Sequence, residues 1–390
     1  MAVAAAEEQP GAAGSLTHTY TNTSPGSGNS VALEINPASL GRAPLGTDFV
    51  FRIATTTANE TFYIPCVNKG TFNATIDWGD GGPTSTVTAY NDANLTHVYA
   101  TANNYVIRIT GQFGNVYFSG HTVQADKVKQ VYQLGNMGWH SDQNYSWRAC
   151  TTMTHFDAGI TDLDATNLNG MLRDCRKLKK VVMPPATGAY TANSMMYFAD
   201  LVVAPDFSAM TGTMTGDCYR VFFYFVAQQP ILDMNDIDVS GVTRMSGFFG
   251  VCNAKTVDVT GWVNTANTQL DDFFYYTNIN TFDWPVGVTC ENVTNMSSFG
   301  IGADAFTSLT GLENWILNPA LNTDCSNFLP LIGDFVIDLD AIYIAWEAQG
   351  PPSNMVFNFG GAKYTSAGAA AKASLESTYG WTITDGGLRV

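Results

Sequence analysis

Several residues have the types and spacing that chemistry needs. In IDWGDG (residues 76–81), Asp77 and Asp80 flank Gly79, and carboxylates this close suggest acid–base work or a calcium corner. A simpler reading is a strand end whose Asp side chains bond nearby backbone N–H groups, with Gly79 and Gly81 supplying positive φ and Trp78 turned into a core. His140, beside Trp139 and near Asp142, is the most active-site-like cluster, but a satisfied histidine of the first repeat accounts for it far better. Asp236, Asp238 and Ser240 match the first half of a calcium loop, but its twelfth position is Gly247 rather than Glu. The other histidines, His18, His97, His121 and His155, are scattered, and HExxH, GxSxG, GxxxxGK[ST] and GxGxxG motifs are absent. No catalytic residue, metal or cofactor is expected. A glycosidase needs only two carboxylates brought together from distant positions, so a polysaccharide-degrading enzyme stands as an alternative.

Seven cysteines, Cys66, Cys150, Cys175, Cys218, Cys252, Cys290 and Cys325, form an odd set without a CxxC pair, which speaks against zinc and redox sites. Cys150, Cys175, Cys252 and Cys325 fall near multiples of 25, as buried small residues of a repeat would. Seven N-x-[ST] sequons, at Asn22, Asn59, Asn73, Asn94, Asn144, Asn292 and Asn295, are close to what chance gives in so Asn- and Thr-rich a chain.

The elements that must position these groups follow from a repeat. Met171, Met195, Phe222, Phe248, Phe273, Met296 and Leu321 recur at intervals of 23 to 27 residues. Apolar–Asp pairs follow at Leu232-Asp233, Val257-Asp258 and Phe282-Asp283, and a Val-Thr-x-Met lead-in occurs at 242–245 and 293–296. Repeats of this length, each with a short strand and an irregular return, predict a leucine-rich-repeat-like solenoid of seven to eight coils whose core is one continuous ladder. The aromatic residues Phe222, Phe223, Phe225, Phe248, Phe249, Phe273 and Phe274 are expected to pack that core. Tyr275 and Tyr276 have the better chance of facing outward and are the candidate ligand contacts. The stretches MLRDCRKLKKVVMP, DVSGVTRMSGFFGVCNAKTVDVTGW and VTCENVTNMSSFG resemble the BspA-like leucine-rich-repeat surface proteins over residues 125–330. That resemblance implies extended non-enzymatic surfaces on bacterial cells or phage particles, with adhesion as their use.

Before the repeats, residues 47–120 alternate apolar and polar positions in five short runs separated by Asn, Gly, Pro and Asp clusters, the pattern of an antiparallel sandwich. IDWGDG with HVYATANNYVIRIT (97–110) resembles the polycystic-kidney-disease-type (PKD) immunoglobulin-like domain, which implies an immunoglobulin-like sandwich. After Gly333 the repeat gives way to helical spacing from Ile337 to Trp346, closed by Gly350-Pro351-Pro352. A strand at 355–360, a helix over 367–379 capped by Ser366 and stopped by Gly380, and a last strand at 381–384 complete an α/β cap.

Composition bounds the function. Of 390 residues only 13% are charged and 45% are hydrophobic, and 34 acidic against 18 basic residues leave a net charge of −16. A broad phosphate-tracking surface needs clustered Lys and Arg, so no nucleic acid is expected as partner. No run of 18 apolar residues, the length needed to span a membrane, occurs in the sequence. Glu7 and Glu8 interrupt the opening apolar run, and no basic residue precedes them, so a secretory signal is not expected. The expectation is a mainly β chain: an N-terminal arm over 1–46, a PKD-like sandwich over 47–120, a solenoid over 121–332 and an α/β cap over 333–390. Its expected role is a non-enzymatic virion component, capsid decoration or tail-associated fibre. Many copies per particle would dock to other virion proteins through the arm and sandwich and meet a host-surface glycan. A secreted bacterial cell-surface adhesin is the second reading.

Overall fold

Strict alternation builds the first part of the chain. The computed structural model describes residues 46–390 except 160, 202–203, 225 and 228–230, with only the backbone of 200–201 and 226–227. The expected docking arm, up to residue 45, and the core assignment of Phe225 therefore lie outside the described residues. The strands are Phe49–Ala54 (β1), Glu60–Tyr63 (β2), Phe72–Asp77 (β3), Ser85–Val87 (β4), Thr96–Tyr99 (β5) and Asn104–Phe113 (β6). In β3, Phe72, Ala74 and Ile76 are buried while Asn73, Thr75 and Asp77 are exposed, the period of two expected of a half-buried strand. β4 is too short and polar to stand out in the sequence. β2 and β5 pair separately, and Phe62 of β2 meets Phe51 of β1 with ring centroids 6.4 Å apart.

The larger sheet runs β4-β3-β6-β1-β7-β8-β9, where β7 is Val128–Gln133, β8 is His155–Asp157 and β9 is Lys180–Val182. β1 pairs antiparallel with β6 on one edge and with β7 on the other, and from β7 onward pairing is parallel. One sheet thus crosses the position after Gly120 where the sequence changes character. Trp147 joins the hydrophobic interiors on its two sides, with Phe49 6.0 Å and Phe156 5.7 Å from its ring.

Beyond β7 the chain is a parallel β-solenoid with coils of about 25 residues. On its strand side Leu232, Val257, Phe282 and Leu309 pair in succession and are buried, with Thr, Ser and Asp neighbours turned outward. Each coil hides its apolar side only against the next, so the ladder is the core. In the last turns helices replace the irregular returns. Leu339–Glu347 begins at Asp338, whose carboxylate accepts from the Ala341 N–H, and Trp346 is fully buried beneath it. The helix Ala369–Ser377 corrects one expectation. Ser366 does not cap it; the N-cap is Gly368, whose N–H is taken by Asp340 Oδ1 at 2.9 Å. Asp340 also accepts from the N–H and hydroxyl of Thr365, so a carboxylate one coil away does the work a local serine was expected to do.

Candidate functional site

The tight turn of each coil stacks into a ridge. Within it backbone N–H groups alternate in direction: Trp147 and Ala149 donate to Met171 and Arg173 of the next coil, while Arg148 and Cys150 donate within their own turn to Tyr145 and Trp147. This alternation places two left-handed residues, four apart, in each of the coils from Tyr145 to Gly302. Tyr145 and Ala149, Arg220 and Tyr224, Asp272 and Tyr276 are non-glycine examples, and Val251, β-branched and least tolerant of that conformation, follows Gly247. A left-handed L-residue costs about 1–2 kcal/mol. The stacked turns offset that cost with inter-coil hydrogen bonds and buried side chains.

The register of these bonds assigns the predicted ladder. Met171, Met195, Phe248 and Phe273 each accept from the preceding coil, from Trp147, Leu172, Phe222 and Phe249 respectively. Val221 takes this place in its coil by accepting from Met196, and Phe299 does so from Phe274. Phe222 is therefore one residue beyond the line. Met296 lies three before Phe299 and Leu321 seven before Phe328, whose ring stacks on Phe299 at 4.9 Å. All seven predicted residues are nevertheless buried. Inside the ridge Phe248, Phe273, Phe299 and Phe328 form a continuous near-parallel stack with centroids 4.9–6.1 Å apart. The cysteines divide in the same way. Cys150, Cys175 and Cys252 share one line, whereas Cys325 is placed like Met296, since these two accept from the N–H groups of the stacked Phe328 and Phe299. All seven cysteines are free, six are buried, and burial pushes the thiols of Cys218, Cys252 and Cys325 up to about 12.

Outside this core the ridge carries rings and guanidinium groups. Arg173 lies 4.7 Å over Tyr197, which stacks on Phe223 at 5.6 Å, and Phe223 stacks on Tyr275 at 6.2 Å across Gly250. A Cβ at Gly250 would collide with the Phe223 ring, and one at Gly302 would collide with Tyr276, so these glycines leave slots for aromatic side chains of the preceding coil. Arg220 caps both Tyr219 and Phe223 at 4.5 and 4.4 Å, and Arg244 covers the Tyr219 ring at 4.7 Å. Of the predicted contacts, Tyr276 is 51% exposed and Tyr275 is half-buried, with ring centroids 4.7 Å apart. Five of the nine arginines, Arg148, Arg173, Arg176, Arg220 and Arg244, sit on this ridge. Sequence reasoning picked out the two tyrosines and missed the arginines. Their signal was present as a cation within four residues of the ladder position, at Arg173, Arg220 and Arg244, but several of the rings they cover belong to another coil, as Tyr197 does for Arg173 and Tyr219 for Arg244.

The strand side is different. Asp157, Asp206, Asp233 and Asp258 each accept from the N–H two residues on, at 2.9–3.2 Å, turning the chain at the strand end. Hydrogen bonds from Ser208, hydroxyl and N–H, hold Asp206 below the usual carboxylate range. An open hollow of about 250 Å³ runs over Ile231, Thr256, Asp258, Thr281, Asp283 and Ser308. No group of three His, Cys, Asp or Glu poised for a metal occurs among the described residues. Of the calcium-like fragment, Asp238 accepts from Ser240 and from the Thr213 hydroxyl.

The remaining clusters are held in local structure. Asp77 accepts from Gly79 N–H and Asp80 from Gly82 N–H, both at 2.9 Å, with Gly79 and Gly81 at φ 77°. Trp78 is buried and donates to Ser85, and its carbonyl accepts from Tyr99. Although burial opposes it, the His97 ring nitrogen 2.7 Å away holds Asp80 below its ordinary range. His140 Nδ1 accepts from Asp142 N–H, Asp142 pairs with Lys69 at 2.6 Å, and Trp139 donates to the Leu134 and Gly135 carbonyls.

No protein-family model matches the chain, and no curated protein matches it. Among solved structures it is similar to a leucine-rich repeat protein from Bacteroides ovatus, at 11% identity and a TM-score of 0.27, over 81% of this chain and 98% of that one. No helix among the described residues is long and apolar enough to cross a membrane.

Proposed function

We propose that the protein is a non-enzymatic structural and adhesion component of a bacteriophage virion, a capsid decoration or tail-associated fibre that presents its solenoid to a host-surface glycan. The observation that carries this reading is the shared strand β1. Bonded to β6 on one edge and β7 on the other, it makes the antiparallel unit and the first coils one sheet, so a contact surface on the ridge is held rigidly to whatever grips the N-terminal part. The ridge supplies such a surface, with an exposed Tyr276 and five arginines. The net charge of −16 favours many neighbouring copies that stay apart. We further read the antiparallel unit as a PKD-like immunoglobulin-like domain, supported by the buried Trp78 and its bond with Tyr99, and the solenoid as BspA-like.

The test is incorporation. The full chain and a variant lacking residues 1–46 are expressed during particle assembly, and particles are purified by density gradient. The full chain is expected in the particle band and the truncated chain outside it. Normal incorporation of the truncated chain overturns docking through the arm. Recovery of the full chain with outer membrane, and its absence from particles, overturns the virion reading in favour of a cell-surface adhesin. Release of reducing sugar from envelope glycans overturns the non-enzymatic one.

A further inference from the structure

We propose that the basic corner formed by the first solenoid coils is a binding site for an anionic polysaccharide, a chain bearing carboxylate, sulfate or phosphate groups at sugar-length intervals. This deepens the glycan contact proposed above and rests on that reading only for the choice of a glycan.

Residues 173–180, RDCRKLKK, hold Arg173, Arg176, Lys177, Lys179 and Lys180 with one acid among them, Asp174, in a chain whose net charge is −16; of these cations Lys180 is already paired, with Asp157 of the preceding coil at 3.1 Å. The fold concentrates them further. Arg148 comes alongside from the preceding coil, because Ala149 N–H bonds the Arg173 carbonyl. Arg148, Arg173 and Arg176 then share the single Asp174 carboxylate at 3.6–3.7 Å, close enough for attraction but beyond hydrogen-bond reach. Three guanidinium groups face one carboxylate that leaves their in-plane donors to another acceptor.

Those donors are also pre-oriented. Arg148 lies 5.2 Å over Tyr145, Arg173 4.7 Å over Tyr197 and Arg176 4.8 Å over Phe198. A ring beneath each guanidinium lowers the entropy lost on binding and leaves its N–H edge able to grip an acidic group in a fork. Leu178 is buried, which turns Lys177 and Lys179 outward on either side of it, so the cations wrap from the ridge toward the strand side. Duplex nucleic acid, with one charge per ~1.7 Å, would need a longer basic track and would meet the repulsion of the rest of the protein. A polysaccharide with one acidic group per few sugars suits a short cationic corner.

The test uses the full chain on immobilised alginate, heparin, a DNA oligomer and neutral dextran, compared with the Arg176→Glu/Lys177→Glu/Lys179→Glu variant. Lys255→Glu, an exposed lysine on a later coil, serves as control. Expected are salt-sensitive retention of the unaltered protein and of the control on alginate and heparin, no retention on dextran, and at least about tenfold weaker binding by the triple variant. Lys177→Glu alone, at an exposed position, gives the same reading, with a smaller effect, should the triple variant lose its circular dichroism. Equal binding of variant and unaltered protein, retention on dextran, or tighter binding of a DNA oligomer than of alginate overturns the proposal. Particle incorporation is measured separately, so failure here leaves the virion reading standing and failure there leaves this one standing.

Discussion

A Cβ atom on Gly250 would collide with Cε2 of Phe223, so the phenyl ring occupies the space that any side chain at position 250 would need. The ring lies flat on the next coil and stacks on Tyr275 beyond it. Gly250→Ala should therefore destabilise the protein by about 1–3 kcal/mol through overpacking. Phe223→Ala costs stability as well, but the double variant should be more stable than the two losses summed, because the collision is gone. Urea unfolding of all four proteins measures the coupling, and strictly additive losses would show that the ring does not use the slot.

Asp272 combines a left-handed backbone at φ 57° with a carboxylate next to Asp271. Burial first, and the Asp271 charge second, raise its pKa above the ordinary value. A carboxylate whose folded pKa is raised weakens the fold when ionised, so the penalty is present at neutral pH and disappears as pH falls below the unfolded value. Asp272→Asn, with a side chain that tolerates this conformation, should be more stable than the unaltered protein at pH 7 and lose that advantage progressively toward pH 4. A gain that stays constant with pH would assign it to the backbone alone.

Glu60 ties β2 to the start of β7. Its carboxylate accepts from Thr56 and Thr57 N–H groups and pairs with Lys127 at 2.9 Å, and despite the opposing effect of burial its pKa falls to about 2. A depressed carboxylate contributes stability that is complete above its unfolded pKa, about 4.3, and is lost as pH drops through the folded value. Glu60→Gln should cost about 1–2 kcal/mol at pH 6, a figure reduced for the water that still reaches the pair, and little near pH 2. Denaturant midpoints at pH 6, 4 and 2.5 check this, and an unchanging gap would refute it.

The cysteines offer a probe of cooperativity. Six are buried, and desolvation pushes all seven thiols above their ordinary pKa. A thiol reagent at pH 8 should label the native protein slowly and the unfolded protein at all seven positions. Fast labelling of Cys252 in the native state would mean that the middle coils open independently of the rest.

Much of the architecture was readable from particular residues. Leu232, Val257 and Phe282, each followed by Asp, recurred with the repeat, and the structure pairs the first with the second and the second with the third. The helix Leu339–Glu347 followed from the helical spacing between Ile337 and Trp346, while its cap by Asp338 emerged only in the structure. Other features were hidden for identifiable reasons. Phe222 was preferred to Val221 because a larger residue stands one position away, and an irregular turn has no period that would break the tie. Met296 and Leu321 slipped because coil lengths differ by a few residues, and a near-constant interval cannot absorb that. The slots at Gly250 and Gly302 depend on rings of the preceding coil, which no local pattern contains.

The sequence by itself determined the period, the burial of its large apolar residues, the alternating strands before the repeats and the helical cap, because those depend on which residues must avoid water and how often. The tertiary structure alone decided which atoms of one coil meet the next. It placed L-residues such as Val251 and Tyr276 in left-handed conformations, gathered Arg148, Arg173 and Arg176 about Asp174, and made β1 the common strand of two regions. The physical reason is that strain and like charge at one position are balanced by hydrogen bonds and ring contacts from residues about 25 positions away. That balance exists only once the coils are stacked.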